Sequence, residues 1–470
     1  MKKAKIICTI GPASGSPTMI KEMIKAGMNV ARLNMSHGTH DVHADFINAI
    51  KVQRQKLETP VSIMCDLKGP EIRIKEFQDG KVELEDGQIF TLTTGNVVGS
   101  KNIVSVNYKD LPNILNEGDK ILLNDGFIVL EVISINKYDI ITKVLDGGVI
   151  TNNKSINLPN VQLEMPFISE IDKADIKFAI ENDVDYIALS FVRTADDILA
   201  VRKFIKDNGG ADKNIKLISK IENQQGLDNI NEIIKESDGI MVARGDLGVE
   251  VDFKLIPIYQ KAIVDKCLKA GRIVIIATQM LESMIENTRP TRAELTDMAN
   301  AVLDGASALM LSGETASGHN VIKCIETMSD VIESCERNIL VKTETALIDS
   351  SSDVSTSIAY ACKSLADKIK ADAVVVVSKT GKSVLEVASF KPSCPIVACT
   401  LDEKVYNQLA LCWGAVPMMI DEYKFTDTLL AASRTCALKT GFLGKGDIII
   451  QTAGLPLGHV PTNLLKIDTL

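Results

Sequence analysis

A soluble α/β protein built on a (β/α)8 (TIM) barrel, with a small β-barrel lid inserted and an α/β unit appended, is what this sequence predicts. Three observations carry it. Eight short Val/Ile/Leu/Met-rich runs recur along residues 1–316, most of them separated by helix-like segments at spacings of roughly 23 to 34 residues, as repeated βα units require. One gap in that series, between the third and fourth runs, is far longer than the others and strand-rich. Beyond the eighth run the βα pattern resumes with a different rhythm after a polar stretch.

The eight runs are "AKIICTIG", "MNVARLNMSHG", "VSIMCDLKGP", "DYIALSFVR", "IKLISKIEN", "GIMVARGDLG", "RIVIIATQM" and "SALMLSGET". Amphipathic segments such as "SPTMIKEMIKAG" and "TADDILAVRKFIKDNG" lie between them. The insert alternates apolar and polar residues in "KVELEDGQIFTL" and "KILLNDGFIVLEVISI", with Gly, Asn and Asp at its turns. Attached after the third strand, it is placed to act as a lid. The expected division is residues 1–69 and 167–343 for the barrel, 70–166 for the lid and 344–470 for the C-terminal unit. A serine-rich linker, "ETALIDSSSDVSTS", would open the last.

Bulk properties narrow the function. The 470 residues exceed one ordinary core. A net charge of −9 argues against nucleic-acid and membrane-surface binding, and one Trp with 4% aromatic residues argues against base-stacking platforms. No apolar run approaches the ~20 residues that cross a bilayer. The N-terminus lacks a signal-like apolar stretch, and the ten cysteines form no CxxC pair, so a reducing, cytoplasmic setting is expected.

Chemistry in such barrels sits at the C-terminal strand ends. Here those ends carry Arg32, Asn34 and Ser36; Asp66 and Lys68; Lys220 and Glu222; Arg244 and Asp246; Thr278; Ser312 and Glu314. Side chains two apart on a strand share a face, so Lys220 and Glu222 project together from a segment that otherwise wants burial. Glu222 and Asp246 are hard oxygen donors with no His or Cys nearby in sequence, which suits Mg²⁺ or Mn²⁺ sharing its shell with substrate oxygens. Lys220 beside them would stabilise charge on an enolate or a transferring phosphoryl group. Asn34 and Ser36 with Asp66 fit a monovalent cation, and Arg32 fits a phosphate, although "SHGTHD" also reads as a helix cap. His37, His40 and His43 splay around a helix at i, i+3, i+6 and make a poor zinc site.

"SKTGKS" (Ser378, Lys379, Thr380, Gly381, Lys382, Ser383) follows an apolar strand. It resembles the end of a Walker A loop, but Val376 stands where that loop needs glycine, so a triphosphatase P-loop is rejected. The amides and lysines still suit a phosphate, and so does the bland alternative of a solvated strand–helix turn.

These residues resemble a known family. "ARLNMSHG", "DLKGPEIR", "SKIENQQG", "MVARGDLGVE", "ATQMLESM", "RPTRAELTDMANAVLDGASALMLSGETA" and "SKTGKS" look like pyruvate kinase of the bacterial type without an extra C-terminal extension, across essentially the whole chain. The resemblance implies transfer of the phosphoryl group of phosphoenolpyruvate to ADP, giving pyruvate and ATP, in a homotetramer controlled by a phosphorylated effector. It implies Glu222 and Asp246 as Mg²⁺ (or Mn²⁺) ligands and Lys220 at the transferring phosphoryl group. It implies Arg32 at phosphate, and Asn34, Ser36, Asp66 and the Leu67 carbonyl at K⁺. Thr278 would lie at the enolate face, with Ser312 and Glu314 as proton relay. Ala243, Arg244, Gly245 and Asp246 would receive the substrate carboxylate, Asn34, His37 and Arg73 would lie toward the nucleotide, and residues 378–383 would hold the effector phosphate. Leu67 departs from the threonine common in potassium-requiring members, and Pro461 stands where glycine is usual. Two rivals are a metal-dependent pyruvate-enolate aldolase or lyase, which leaves the lid unexplained, and a non-catalytic scaffold, which would have lost Lys220, Glu222, Asp246 or Thr278.

Overall fold

The computed structural model describes residues 1–159, 161, 165–338, 353–421, 423, 425–456 and 460–470. The eight apolar runs form the strands β1 (Lys5–Ile10), β2 (Val30–Asn34), β3 (Ser62–Asp66), β4 (Tyr186–Leu189), β5 (Lys216–Ile221), β6 (Gly239–Ala243), β7 (Ile273–Ala277) and β8 (Ala308–Leu311). All pair in parallel with their sequence neighbours, and β1 pairs with β8 to close the barrel. Near-continuous apolar character follows from burial on both faces, against the helices outside and the barrel interior within.

The interior face explains where the chemistry falls. Ile7, Val30, Met64, Ala188, Ile218, Met241, Ile275 and Met310 form one buried cluster inside the barrel. Two residues further along the same strands the same face becomes Thr9, Arg32, Asp66, Ser190, Lys220, Ala243, Ala277 and Ser312. The period of two thus carries one side-chain row from an apolar floor to a polar mouth.

The insert after β3 is a seven-stranded sheet with its own core, including Phe90, Leu92, Ile121, Leu130, Ile140 and Val144. Its outer strands, Ile72–Arg73 and Ile103–Ser105, are brought together by an Ile74–Val106 bridge, so the sheet curls until its edges meet. Helix α1 (His40–Lys56) follows β2, and α2 (Glu170–Glu181) follows the insert. A capping box starts α2, with the Ser169 side chain accepting from the Asp172 N–H and the Asp172 carboxylate returning to Ser169.

The C-terminal unit is a five-stranded sheet of β9 (Ala373–Val377), β10 (Ile396–Thr400), β11 (Ala415–Met419), β12 (Ile448–Ala453) and β13 (Leu464–Thr469), ordered 11-10-9-12-13 with only β13 antiparallel. The serine-rich segment is not all linker: a helix runs from Val354 to Ile369, capped by Asp353, and residues 344–352 lie outside the described residues. This unit plugs the barrel floor. Leu411 joins the interior cluster, Tyr186 donates to the Gln408 carbonyl (2.9 Å), Ser62 to the Asn407 carbonyl (2.6 Å), and the buried Lys5 ammonium to the Ala415 carbonyl (2.7 Å).

Candidate active site

At the mouth of the barrel Lys220 is nearly buried, with Nζ 2.9 Å from Glu222 Oε1, 3.4 Å from Asp66 Oδ1 and 2.7 Å from Ser190 Oγ. Burial alone would lower its pKa, but Asp66, Glu222 and Asp246 together hold it above the usual lysine value, so it stays charged. Burial would raise the Asp66 carboxyl, yet Lys220 and Arg32 keep it below its ordinary value. Arg32 Nε bonds Asp66 Oδ2 at 2.6 Å and Nη1 bonds Thr9 Oγ1 at 2.9 Å, fixing the guanidinium in the row.

Glu222, like Asp66, keeps one buried carboxylate oxygen without a hydrogen bond. It is fully buried, its Oε2 accepts the Phe191 N–H at 2.6 Å, and Oε1 meets the ammonium outside hydrogen-bonding geometry, without another partner. Burial, with Asp246 adding repulsion, pushes its pKa up to about 7 against the pull of Lys220. A buried carboxylate oxygen that meets one ammonium and no hydrogen-bond donor in good geometry, with a second carboxylate acting on it, fits a hard divalent cation. Among the described residues no group of three or more His, Cys, Asp or Glu side chains converges on a metal position, so the rest of such a shell would come from backbone, water or substrate oxygens.

The second row of expected residues braces the loops. Arg244 opens α3 (Arg244–Glu250), and its guanidinium turns away to Asp297 Oδ2 (2.6 Å) and the Thr278 carbonyl (2.6 Å). Thr278 has φ +67, and its Oγ1 accepts the Gly245 N–H at 2.9 Å while donating to the Ala277 carbonyl. Both Glu314 oxygens accept backbone N–H groups, from Leu281 (3.0 Å) and Ser312 (2.6 Å). Ser36 does not continue β2, which ends at Asn34; it sits on an exposed turn whose amide donates to Asn34 Oδ1 (3.2 Å). The Leu67 carbonyl already accepts the Ser190 hydroxyl at 2.7 Å.

Between lid and barrel lies a cleft of about 640 Å³. His37, Arg73 and Asp246 line it, whereas Lys220, Glu222, Arg32, Thr278 and Ser312 do not. The lid reaches the barrel across it through Asn157 Nδ2 to Glu250 Oε1 at 2.8 Å. Arg73 is held by Glu71 in a two-point contact (2.8 and 3.0 Å) and by the Asn153 carbonyl. In the C-terminal unit, Ser378 Oγ accepts the Gly381 N–H, Gly381 has φ +80, and Ser383 bonds Thr462 (2.6 Å). Thr380, Gly381 and Lys382 border a second cavity of about 520 Å³ between this unit and the barrel floor.

Three contributors escaped the sequence reading: Ser190, which bridges Lys220 and the β3 loop; Phe191, at φ +57, whose amide holds Glu222; and Thr9. Ser190 was findable as the first polar residue after the apolar run of β4. Phe191 acts through its backbone and left no trace.

A closed parallel barrel with charged groups gathered at its strand ends, a β lid and a C-terminal α/β unit define a lidded (β/α)8-barrel protein of the kind that carries its site at the C-terminal strand ends. The match to family models is specific: residues 1–325 match the pyruvate kinase barrel domain and residues 356–468 the pyruvate kinase alpha/beta domain. The chain belongs to the pyruvate kinase family. It is 41% identical over 475 residues to a pyruvate kinase of Clostridium acetobutylicum and 42% identical over 479 residues to one of Clostridium perfringens, each alignment covering 100% of both chains. A crystal structure of a pyruvate kinase from Cryptosporidium parvum matches with TM-score 0.94 at 36% identity, covering 100% of this chain and 96% of that one.

Proposed function

We propose that this enzyme transfers the phosphoryl group of phosphoenolpyruvate to ADP, forming pyruvate and ATP. The observation that carries this reading is the buried set of Lys220, Glu222, Asp66 and Arg32 on one interior face, beneath a cleft that a lid covers. Lys220 and Arg32 place two cations where phosphoryl oxygens would gain charge. Glu222 and Asp246 would hold Mg²⁺ or Mn²⁺, which when bound supplies electrostatic stabilisation to the transferring group. Asn34, Ser36, Asp66 and the Leu67 carbonyl would hold K⁺. The backbone of 243–246, steadied by Thr278, would receive the substrate carboxylate, and Thr278, Ser312 and Glu314 would serve protonation of the enolate. Asn34, His37 and Arg73 would face the nucleotide.

The decisive assay is pyruvate formation from phosphoenolpyruvate with and without ADP. Strict dependence on ADP is expected; pyruvate released without ADP from an aldol substrate would instead indicate the lyase chemistry. Replacing K⁺ with a non-coordinating cation is expected to depress turnover, and unchanged activity would remove K⁺ from the site.

Control by a phosphorylated metabolite at residues 378–383 is supported by the turn at Gly381 and the lysines beside it. A homotetramer accords with the family, and a cytoplasmic location with ten free cysteines. Among the described residues no helix is long and apolar enough to cross a membrane. Residues 1–69 with 167–343, 70–166 and 344–470 would form the three units.

A further inference from the structure

The turn that leaves β2 carries Asn34, Ser36 and His37, and its far end is tied down by a residue with no part in the chemistry above. His43, in the first turn of α1, is buried, and its Nε2 lies 2.7 Å from the His37 carbonyl oxygen. A carbonyl only accepts, so Nε2 carries the proton. The other ring nitrogen, Nδ1, is buried without a hydrogen-bond partner. The ring also packs under Gly38, which has φ +82: a Cβ there would stand 3.4 Å from His43 Nε2. Ring, turn and left-handed glycine therefore form one fitted unit.

The helix that bears His43 is itself anchored. His40 Nε2 lies 2.6 Å from Asp175 Oδ1, and its ring stacks on Phe178 with centroids 4.6 Å apart. Asp175 stands three residues after Asp172 on α2, and Asp172 Oδ1 accepts the Gly69 N–H at 3.0 Å. One face of α2 thus holds both the β2 loop, through His40 and α1, and the β3 loop that leads into the lid.

We propose that His43 is a positioning residue for the nucleotide side of the site, holding the turn that presents His37 to the cleft. The inference rests on reading that cleft as the nucleotide site. Burial lowers the His43 pKa, which accords with a neutral ring carrying its single proton on Nε2. The charged and titratable groups near the ring are Asp175 and His40.

Two amide substitutions separate the donor from the bulk. In His43→Gln the side-chain amide can occupy the place of Nε2, whereas in His43→Asn it falls about one carbon–carbon bond short. The Michaelis constants for ADP and phosphoenolpyruvate, with kcat, are measured for both variants, for His37→Ala and for the double variant. Expected is a KM for ADP raised about ten-fold in His43→Asn, equivalent to about 1.4 kcal/mol, with the phosphoenolpyruvate constant within about two-fold of the parent. His43→Gln should restore ADP binding to within about three-fold, and the double variant should be no worse than His37→Ala. Equal impairment of the Gln and Asn variants, an unchanged KM for ADP in His43→Asn, or equal effects on both substrates would overturn the proposal. If His37→Ala leaves ADP binding untouched, it is the nucleotide assignment that fails. Should His43→Asn not fold, Gly38→Ala displaces the same turn and is expected to give the same ADP-selective defect; a uniform or absent effect there would equally refute it.

Discussion

Lys220 sits among three carboxylates and a hydroxyl, and that company decides what its loss would do. Lys220→Met leaves Asp66 and Glu222 buried with one cation fewer; we expect kcat to fall at least about 10²-fold, and stability to drop by about 3–5 kcal/mol in denaturant titration. Ser190→Ala removes only the hydroxyl between Lys220 and the Leu67 carbonyl. It is expected to cost about ten-fold in kcat and about 1–2 kcal/mol in stability. Elsewhere, Lys391 is buried over the Trp413 ring at 4.3 Å, and burial pulls its pKa down to about 7. Its ammonium therefore opposes folding wherever the unfolded chain is protonated and the folded one resists it. Stability should rise between about pH 7 and pH 10.5, because the unfolded state there binds the extra proton. Lys391→Met should stabilise most at and below pH 7, with the gain shrinking toward pH 10.5; a gain independent of pH would contradict this. Which residues carry charge at the mouth was legible in the sequence, since a lysine and a glutamate two apart on an apolar strand are costly to bury unless a ligand meets them. Ser190 could be noticed as a polar residue, but its bridge from Lys220 to the Leu67 carbonyl could not, nor could the Phe191 amide, because those contacts are fixed by barrel closure between β3, β4 and β5, far apart in the chain.

At the scale of elements, the strands and their order could be read from apolar runs and spacing, because each buried run is bounded by the polar residues that chemistry and solvent require. The ends were less legible. Ser36 falls on a turn rather than on β2, and the serine-rich segment gives way to helix at Val354, because Asp353 caps it and the following residues carry a buried face. Helix α2 shows what element-level reading misses: Asp172 serves both the capping box and the Gly69 amide. Asp172→Ala should cost about 1–3 kcal/mol, more than a cap alone, and should raise the Michaelis constants for both substrates by loosening the lid's point of departure.

For the whole molecule, the barrel and the C-terminal unit are not independent. Lys404 bonds the Asp183 and Val184 carbonyls (2.9 and 2.6 Å) and Asp183 Oδ1 (3.1 Å), with Asp185 Oδ1 at 3.6 Å, while Leu411 fills the floor. Lys404→Met should therefore split a single unfolding transition into two in calorimetry, by weakening the seam while leaving each core whole. The three-part organisation was visible in the change of rhythm along the chain. This docking was not, since nothing local marks Leu411 or Lys404 as belonging to another unit's interior.

The bond between Gly69 and Asp172 has one more consequence. It fastens the point where the chain departs for the lid to the point where it comes back, 103 residues later. The barrel thus meets the insert as a loop with adjoining ends. That makes the position a port for modular exchange: a shortened lid grafted between Gly69 and Asp172 is expected to leave the barrel folded, as circular dichroism and denaturant titration would check.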